Sequence, residues 1–358
     1  MSAARVERIL AGFEAAGIDA LLVADPVNLR YLTGFTGSNG LAVVGPHLRR
    51  FVTDFRYVDQ AAAQVAGFDR ERGPRDLLDA LREPWPAGGL RLGFDDAHVS
   101  VRTHGRLRRL LPDEVELVPA AGLVERARAV KEPGEIEAIR GAAQIADTIY
   151  RELAEAGLAR RKEREVALWL EHRMRVLGAD GPSFGSIVAS GPHGALPHAE
   201  PRDAEIARDT LVTLDLGAVL DGYASDCTRT WATGERIPDA LAEAYELTLR
   251  AQEAAVAAVR PGPTGAQLDA VARDVIEGAG HGEHFGHPLG HGVGLDVHED
   301  PRLSRVNERP LEAGNVVTVE PGVYLPGVGG VRIEDLVVVT PDGCEILTRT
   351  TKALTVVG

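Results

Sequence analysis

The dipeptide Asp221-Gly222 stands between two apolar, β-branched runs, residues 211–220 and 222–233. An Asp-Gly pair in that setting is the strongest short-range hairpin signal, because a two-residue turn needs positive φ at both positions. The turn also fixes the register. With 221 and 222 at its tip, Asp215 faces Thr228 and Asp226 faces Gly217. Side chains alternate along a strand, so the two aspartates become diagonal neighbours on one face. Asp215 follows the apolar run Leu211-Val212-Thr213-Leu214. A carboxylate pair buried there is costly unless a cation compensates it. The alternative is two solvated strand-edge aspartates.

A second pair follows the same logic. Glu320 ends Val316-Val317-Thr318-Val319, and Glu334 lies in Val331-Arg332-Ile333-Glu334-Asp335-Leu336-Val337. The two glutamates are fourteen positions apart. That spacing fits a hairpin with an odd-length loop at 327–329 and puts both on one face. Arg332 projects from the same face two residues before Glu334, so an Arg–Glu pair is the competing explanation.

Between the hairpins, five of the eleven histidines fall within residues 281–298: His281, His284, His287, His291 and His298. Four glycines around His291 force a tight backbone path. Histidines on such loops serve as metal ligands, although a solvated His-rich loop would look similar. His281 and His284, in a polar Gly-rich approach, fit the solvated loop and stand outside the expected site. Four carboxylates and an imidazole suit Mn²⁺, Co²⁺, Fe²⁺ or Zn²⁺. Their charge matches two divalent cations, which can supply an activated water for hydrolysis. No Gly-x-Ser-x-Gly elbow, P-loop, His-Glu-x-x-His or Rossmann fingerprint competes with this reading.

At 358 residues the chain is long enough for two domains. Residues 1–125 alternate helix and strand: a helix over 5–16, strands at 20–23, 40–44, 50–53 and 115–118, and a helix over 57–66. This is an α/β unit. Residues 126–134 are charged and contain Pro133-Gly134, which reads as a linker. Residues 135–358 read as α+β: helices from 135 onward and over 163–177, 241–259 and 268–279, with hairpins at 211–233 and 315–339. The order helices, hairpin, helices, hairpin hints at a pseudo-duplicated half.

A net charge of −14 excludes the electrostatic footprint of a nucleic-acid binder. No apolar run approaches the roughly 20 residues of a membrane helix. Cys227 and Cys344 form no CxxC pattern, and residues 1–17 carry no basic-then-apolar signal. A cytoplasmic location is therefore expected.

Taken in order, Asp-Leu-Gly at 215, Ser-Asp-Cys-Thr-Arg-Thr at 225, Gly-His-Gly-Val-Gly-Leu at 290, Thr-Val-Glu-Pro-Gly at 318 and Arg-Ile-Glu-Asp at 332 resemble the pita-bread-fold metallopeptidases. These are aminopeptidase P, prolidase and methionine aminopeptidase. Residues 28–35 and 53–57 resemble the creatinase-type N-terminal domain of the proline-specific branch, which methionine aminopeptidase lacks. The resemblance implies a creatinase-type α/β domain followed by an α+β pita-bread catalytic domain holding two divalent metal ions (Mn, Co, Zn or Fe). It implies Asp215 as a terminal ligand, Asp226 and Glu334 as bridging ligands, His291 as the imidazole ligand, and Glu320 as ligand and general base. His198 then stands near the scissile bond, His298 assists the carbonyl, and His287 and Arg332 take the substrate side.

The expected reaction is hydrolysis of Xaa-Pro bonds in small peptides with proline second. The reading taken is a dipeptidase in which Arg332 and His287 grip the proline carboxylate. The alternative is an aminopeptidase P acting on longer peptides. A metal-free creatinase-like amidinohydrolase or an inactive binding protein would be expected to lose ligands, and none is lost. The resemblance also implies a homodimer.

Overall fold

The computed structural model describes residues 2–82, 84–86 and 88–358, without the side chains of Ser2 and Ala3. It divides into two compact units, Met1–Arg128 and Ala129–Gly358. Helices α1 (Ser2–Leu10), α2 (Phe13–Ala16), α3 (Pro26–Thr33), α4 (Val58–Gln64), α5 (Val101–Leu110) and α6 (Leu123–Ala129) belong to the first part of the chain. So do strands β1 (Ala20–Val23), β2 (Gly40–Gly45), β3 (Leu48–Thr53), β4 (Asp69–Arg72), β5 (Leu90–Phe94) and β6 (Val115–Pro119). The strands form one mixed sheet in the order β4-β3-β2-β1-β5-β6.

The helix expected over 5–16 is broken at Gly12. A Cβ there would lie 2.6 Å from the Leu123 side chain, so close packing holds the glycine and the chain turns. Helix α3 was hidden in the Asn28–Phe35 motif. Asp25 caps it by accepting the Asn28 N–H at 2.9 Å, and Pro26 occupies its first turn. Strand β4 (Asp-Arg-Glu-Arg) escapes sequence patterning because it is an exposed, fully charged edge strand.

The second unit opens with α7 (Pro133–Ala156) and α8 (Glu163–Val176). Most of the stretch expected as a linker, 126–134, is therefore helical: α6 runs to Ala129 and α7 starts at Pro133. Proline suits a first helical turn, and Glu132 with Glu135 forms a capping box around it. Strands β7 (Gly181–Pro182) and β8 (Ile187–Ser190) lead to the first hairpin. It consists of β9 (Leu211–Leu216), β10 (Ala218–Leu220), β11 (Tyr223–Ala224) and β12 (Cys227–Ala232). Helices α9 (Asp239–Ala258) and α10 (Gly265–Gly278) follow, then β13 (Gly290–Gly292) and β14 (Glu299–Leu303). The second hairpin comprises β15 (Val316–Val319), β16 (Gly322–Leu325), β17 (Gly329–Arg332) and β18 (Asp335–Thr340), and β19 (Gly343–Ile346) extends its sheet.

The first register is the one its turn implies, and the second loop lies one residue earlier than the expected 327–329. Asp221 and Gly222 have φ of 49° and 76°. Leu220 pairs with Tyr223, and Asp215 with Thr228. In the second hairpin Leu325 pairs with Gly329 around a 326–328 loop, and Val319 pairs with Asp335, which places Glu320 opposite Glu334. The strands expected as continuous are each interrupted, at Gly217, Ser225-Asp226, Glu320-Pro321 and Ile333-Glu334. At and beside the Ile333-Glu334 break the two hairpins bond to one another, while Gly217 O accepts from Ser183 N at 2.9 Å. Glu334 N donates to Thr228 O at 3.2 Å, Thr230 Oγ1 donates to Arg332 O at 2.9 Å, and Arg332 N reaches Thr230 Oγ1 at 3.1 Å. Glu320 N donates to Leu289 O at 2.9 Å. At Gly217 a Cβ would sit 1.9 Å from Ser225 O, so only glycine permits this close approach within the first hairpin.

Apolar clusters flank the crossed hairpins. One joins α9 and α10 to the second hairpin through Leu241, Ala251, Leu268, Val319 and Val331. The other joins α7 and α8 to the first through Tyr150, Leu170, Leu214 and Trp231, with Cys227 fully buried in it. Cys227 therefore faces away from the aspartates, and burial pushes its thiol pKa well up. Cys227→Ser places a hydroxyl in that apolar cluster. It should lower unfolding stability by about 1–3 kcal/mol in urea titrations while leaving bound metal unchanged. Loss of metal with the fold retained would contradict this packing.

Candidate metal centre

Crossing the hairpins brings three buried carboxylates together. Asp215, Asp226 and Glu334 each offer an oxygen within 4.8 Å of the others. Asp215 Oδ1 and Glu334 Oε1 are buried without any hydrogen-bond partner. Orphaned carboxylate oxygens in a buried acidic cluster fit a divalent cation, since few other ligands offset that desolvation. The other oxygens are fixed by the protein: Thr228 Oγ1 donates to Glu334 Oε2 at 2.8 Å, and Arg332 Nη2 donates to Asp215 Oδ2 at 2.8 Å. Burial, and then the charges of Glu334, Asp215 and Glu320, push the Asp226 pKa well up. Burial and the charges of Glu320 and Asp215 do the same to Glu334.

Glu320 and His291 complete the ring. His291 Nε2 lies 3.2 Å from Glu320 Oε1 and 3.6 Å from Asp226 Oδ2. Its Nδ1 donates to Gly292 O at 3.0 Å, which sets the ring orientation. Burial opposes charge on Glu320, but the His291 hydrogen bond, with the charges of His291, His287 and Arg332, holds its pKa down to about 2. Thr318 Oγ1 couples the two residues: it donates to Glu320 Oε1 at 3.0 Å and accepts from His291 N at 3.0 Å.

The segment that carries the imidazoles is clamped from α10. Asp269 and Arg273 form a buried i,i+4 pair at 2.7 Å. Arg273 donates to Phe285 O and His287 O at 2.8 and 2.9 Å, and Asp269 accepts Leu289 N at 3.0 Å. His281 and His284 lie apart, bonded to each other at 3.0 Å, as the sequence led us to expect of residues outside the site.

A cavity of about 750 Å³ opens over the cluster. Asp215, Asp226, His291 and Glu320 line it together with His198, His287, His298 and Arg332, while Glu334 lies buried beneath. The His298 ring stands against His291, centroids 4.3 Å apart. Burial and then the His291 charge lower the His298 pKa, and burial lowers that of His287. His287 Nδ1 donates to Pro288 O, so its Nε2 accepts from the Tyr324 hydroxyl at 2.9 Å.

The expectation that Arg332 grips a substrate carboxylate is corrected. Besides Asp215, its guanidinium donates to Thr228 Oγ1, Pro197 O and Tyr324 Oη at 3.1, 3.1 and 2.9 Å. One N–H remains, so no two-pronged fork faces the cavity. Arg332 also does not pair with Glu334. Arg302, which the sequence reading passed over, lines the same cavity, is exposed, and lies near enough to His298 to lower its pKa. Its only sequence signal is its position four residues after His298. Tyr324 was passed over as a strand aromatic.

Residues 137–341 match the family described as metallopeptidase family M24, and residues 5–130 match the creatinase/prolidase N-terminal domain. The chain is 35% identical to the Xaa-Pro dipeptidase of Pyrococcus furiosus over 355 residues, covering 98% of this chain and 99% of that one. Among solved structures it is similar to the Xaa-Pro dipeptidase from Bacillus anthracis, with TM-score 0.95, 38% identity and full coverage of both chains. It is also similar to the X-Pro aminopeptidase from Thermotoga maritima, with TM-score 0.89, 36% identity, and coverage of 99% and 100%.

Chelator-stripped protein should melt at a higher temperature when Mn²⁺, Co²⁺ or Zn²⁺ is added. A cation at a hundred times its Kd contributes about 2.7 kcal/mol. In Glu334→Gln the rise should shrink or vanish. An unchanged melting point with every metal would contradict a metal centre here.

Proposed function

We propose that this chain, which belongs to metallopeptidase family M24 and carries a creatinase/prolidase N-terminal domain, cleaves Xaa-Pro dipeptides. The observation that carries the reading is the set of orphaned, buried carboxylate oxygens at the floor of a cavity lined by His198, His287, His298 and Arg302. Asp215, Asp226, His291, Glu320 and Glu334 would hold two divalent cations, which supply charge neutralisation and Lewis acidity to activate water and polarise the scissile carbonyl. Hard oxygens with one imidazole suit Mn²⁺, Co²⁺ or Zn²⁺.

The chain's own groups do the rest. Glu320, mostly buried but lining the cavity, accepts the proton of the attacking water and returns it to the proline nitrogen. His298, kept neutral by burial and its cationic neighbours, donates a hydrogen bond to the carbonyl oxygen as charge develops. His198 stands beside the scissile bond, and His287 takes the proline side, its ring fixed by Tyr324. An imide nitrogen has no N–H, so selection for proline rests on ring contacts and shape. Arg302 takes the free carboxylate of the dipeptide, the role first assigned to Arg332. Arg332 instead holds Asp215 in place.

The dipeptidase reading rests on Arg302, and on relatives named Xaa-Pro dipeptidase. The aminopeptidase reading retains support from the Thermotoga likeness. Two free cysteines suit a reducing, cytoplasmic setting, and no helix among the described residues is long and apolar enough to cross a membrane. Light scattering at twice 38.2 kDa would support the homodimer.

Ala-Pro should be cleaved and Ala-Pro-Ala should not. Arg302→Ala should lower kcat/KM for Ala-Pro by roughly 10–100-fold, the scale of a lost charge-assisted pair, with metal content intact. Turnover of the tripeptide at a rate equal to Ala-Pro would favour the aminopeptidase. Glu320→Gln should cost about 10²–10⁴-fold in kcat; near-normal turnover with metal bound would place the base elsewhere.

A further inference from the structure

Among the described residues none hydrogen-bonds the His198 side chain, yet it lines the cavity beside the carboxylates. Its position therefore follows the loop that bears it. That loop leaves β8 at Ser190, passes through a 3₁₀ turn at Gly191–Ala195, and presents Pro197, His198, Ala199, Glu200 and Pro201 to the cavity. Its two ends meet on one side chain. Glu163, at the first position of α8, is fully buried. Its Oε1 accepts Ser190 N at 2.9 Å, Ser190 Oγ at 2.7 Å and Arg202 Nη2 at 3.0 Å. Its Oε2 accepts His193 Nδ1 at 3.0 Å, Arg202 N at 3.1 Å and Arg202 Nε at 3.0 Å.

From this we infer that Glu163 is the positioning residue for His198: a single buried carboxylate staples both ends of the catalytic loop and so fixes where an otherwise untethered imidazole meets the substrate. The inference rests on the role proposed for His198. Six donors converge from residues 190, 193 and 202, and among the described residues no other side chain hydrogen-bonds to both ends. Burial works against the charge of Glu163, but these donors hold its pKa down to about 2. Main-chain bonds from Glu163 N to Ala204 O and Arg164 N to Arg202 O tie α8 to the far end of the loop as well. The middle of the loop is also held where Pro197 O accepts from Arg332 and where Ala199 packs against Ile187 and Ala189. The staple therefore acts on geometry and touches no reacting atom.

The carboxylate is specific to the task. A glutamine fits the space but turns an amide donor toward His193 Nδ1, Arg202 N and Arg202 Nε, or toward Ser190 N, whichever way it is placed. Loosening the loop by an ångström is enough to cost on the order of 10²-fold in rate. That loss is confined to what His198 contributes.

A double-mutant cycle on the metal-loaded enzyme tests this. Glu163→Gln should lower kcat for Ala-Pro by about 10–10²-fold with KM and bound metal nearly unchanged. Arg202→Ala removes two of the six donors from a half-exposed side chain and should fold normally; its loss should be smaller. In a His198→Ala background both substitutions should have little further effect, because the group they position is gone. If either penalty persists in full in that background, or if both variants keep wild-type kcat while His198→Ala does not, the inference is overturned. Wild-type turnover by His198→Ala alone would remove the proposed role of His198, and the inference with it.

Discussion

Buried like charges are what this molecule is built around. Two carboxylates about 4 Å apart repel by about 4 kcal/mol at an effective dielectric near 20, against a total folding stability of roughly 5–15 kcal/mol. Asp215, Asp226 and Glu334 lie within such range of one another, and Glu320 adjoins them through His291. The protein answers part of this charge itself. Arg332 is bonded to Asp215, and His291 to Glu320. Among the described residues no arginine or lysine side chain bonds the carboxylate of Asp226 or Glu334, and these are the two carboxylates of the cluster whose pKa is pushed up. They are also among the residues that would hold the cations.

The fold puts that charge where it is by spending main-chain bonds on it. The ladders break beside Asp226, Glu320 and Glu334 while Asp215 stays paired with Thr228, and the two hairpins bond to one another through Thr228, Thr230, Arg332 and Glu334. Each flanking helix pair then fixes one more part of the site. Helix α10 clamps the His287–His291 segment with Asp269 and Arg273. Helix α8 staples the His198 loop with Glu163. Side chains that line the cavity from loops are thus backed by buried charged groups on the helices behind them.

Local chemistry made much of this legible in the sequence. The Asp221-Gly222 turn is a two-residue decision, and it set the Asp215–Thr228 register that the structure has. The spacing of Glu320 and Glu334 needed only alternation and an odd loop. What stayed hidden depends on distant partners. Arg332 meets Asp215 across 117 positions, so its commitment to the protein could not be read beside Glu334. Glu163 reads as an ordinary acidic first-turn residue until Ser190 and Arg202 are folded onto it. Two of the strand breaks were hidden for the same reason, because the bonds made there come from distant segments, Glu334 N to Thr228 O and Glu320 N to Leu289 O.

The central claim is that the carboxylate cluster exists to hold divalent cations that the reaction requires. The most direct test is to strip the protein with chelator and titrate it with Mn²⁺, following bound metal per chain and Ala-Pro turnover in the same samples. The account predicts negligible turnover in the stripped protein and a rise that reaches its plateau as two ions bind per chain. Stripped protein that turns over Ala-Pro as fast as the loaded enzyme would contradict it.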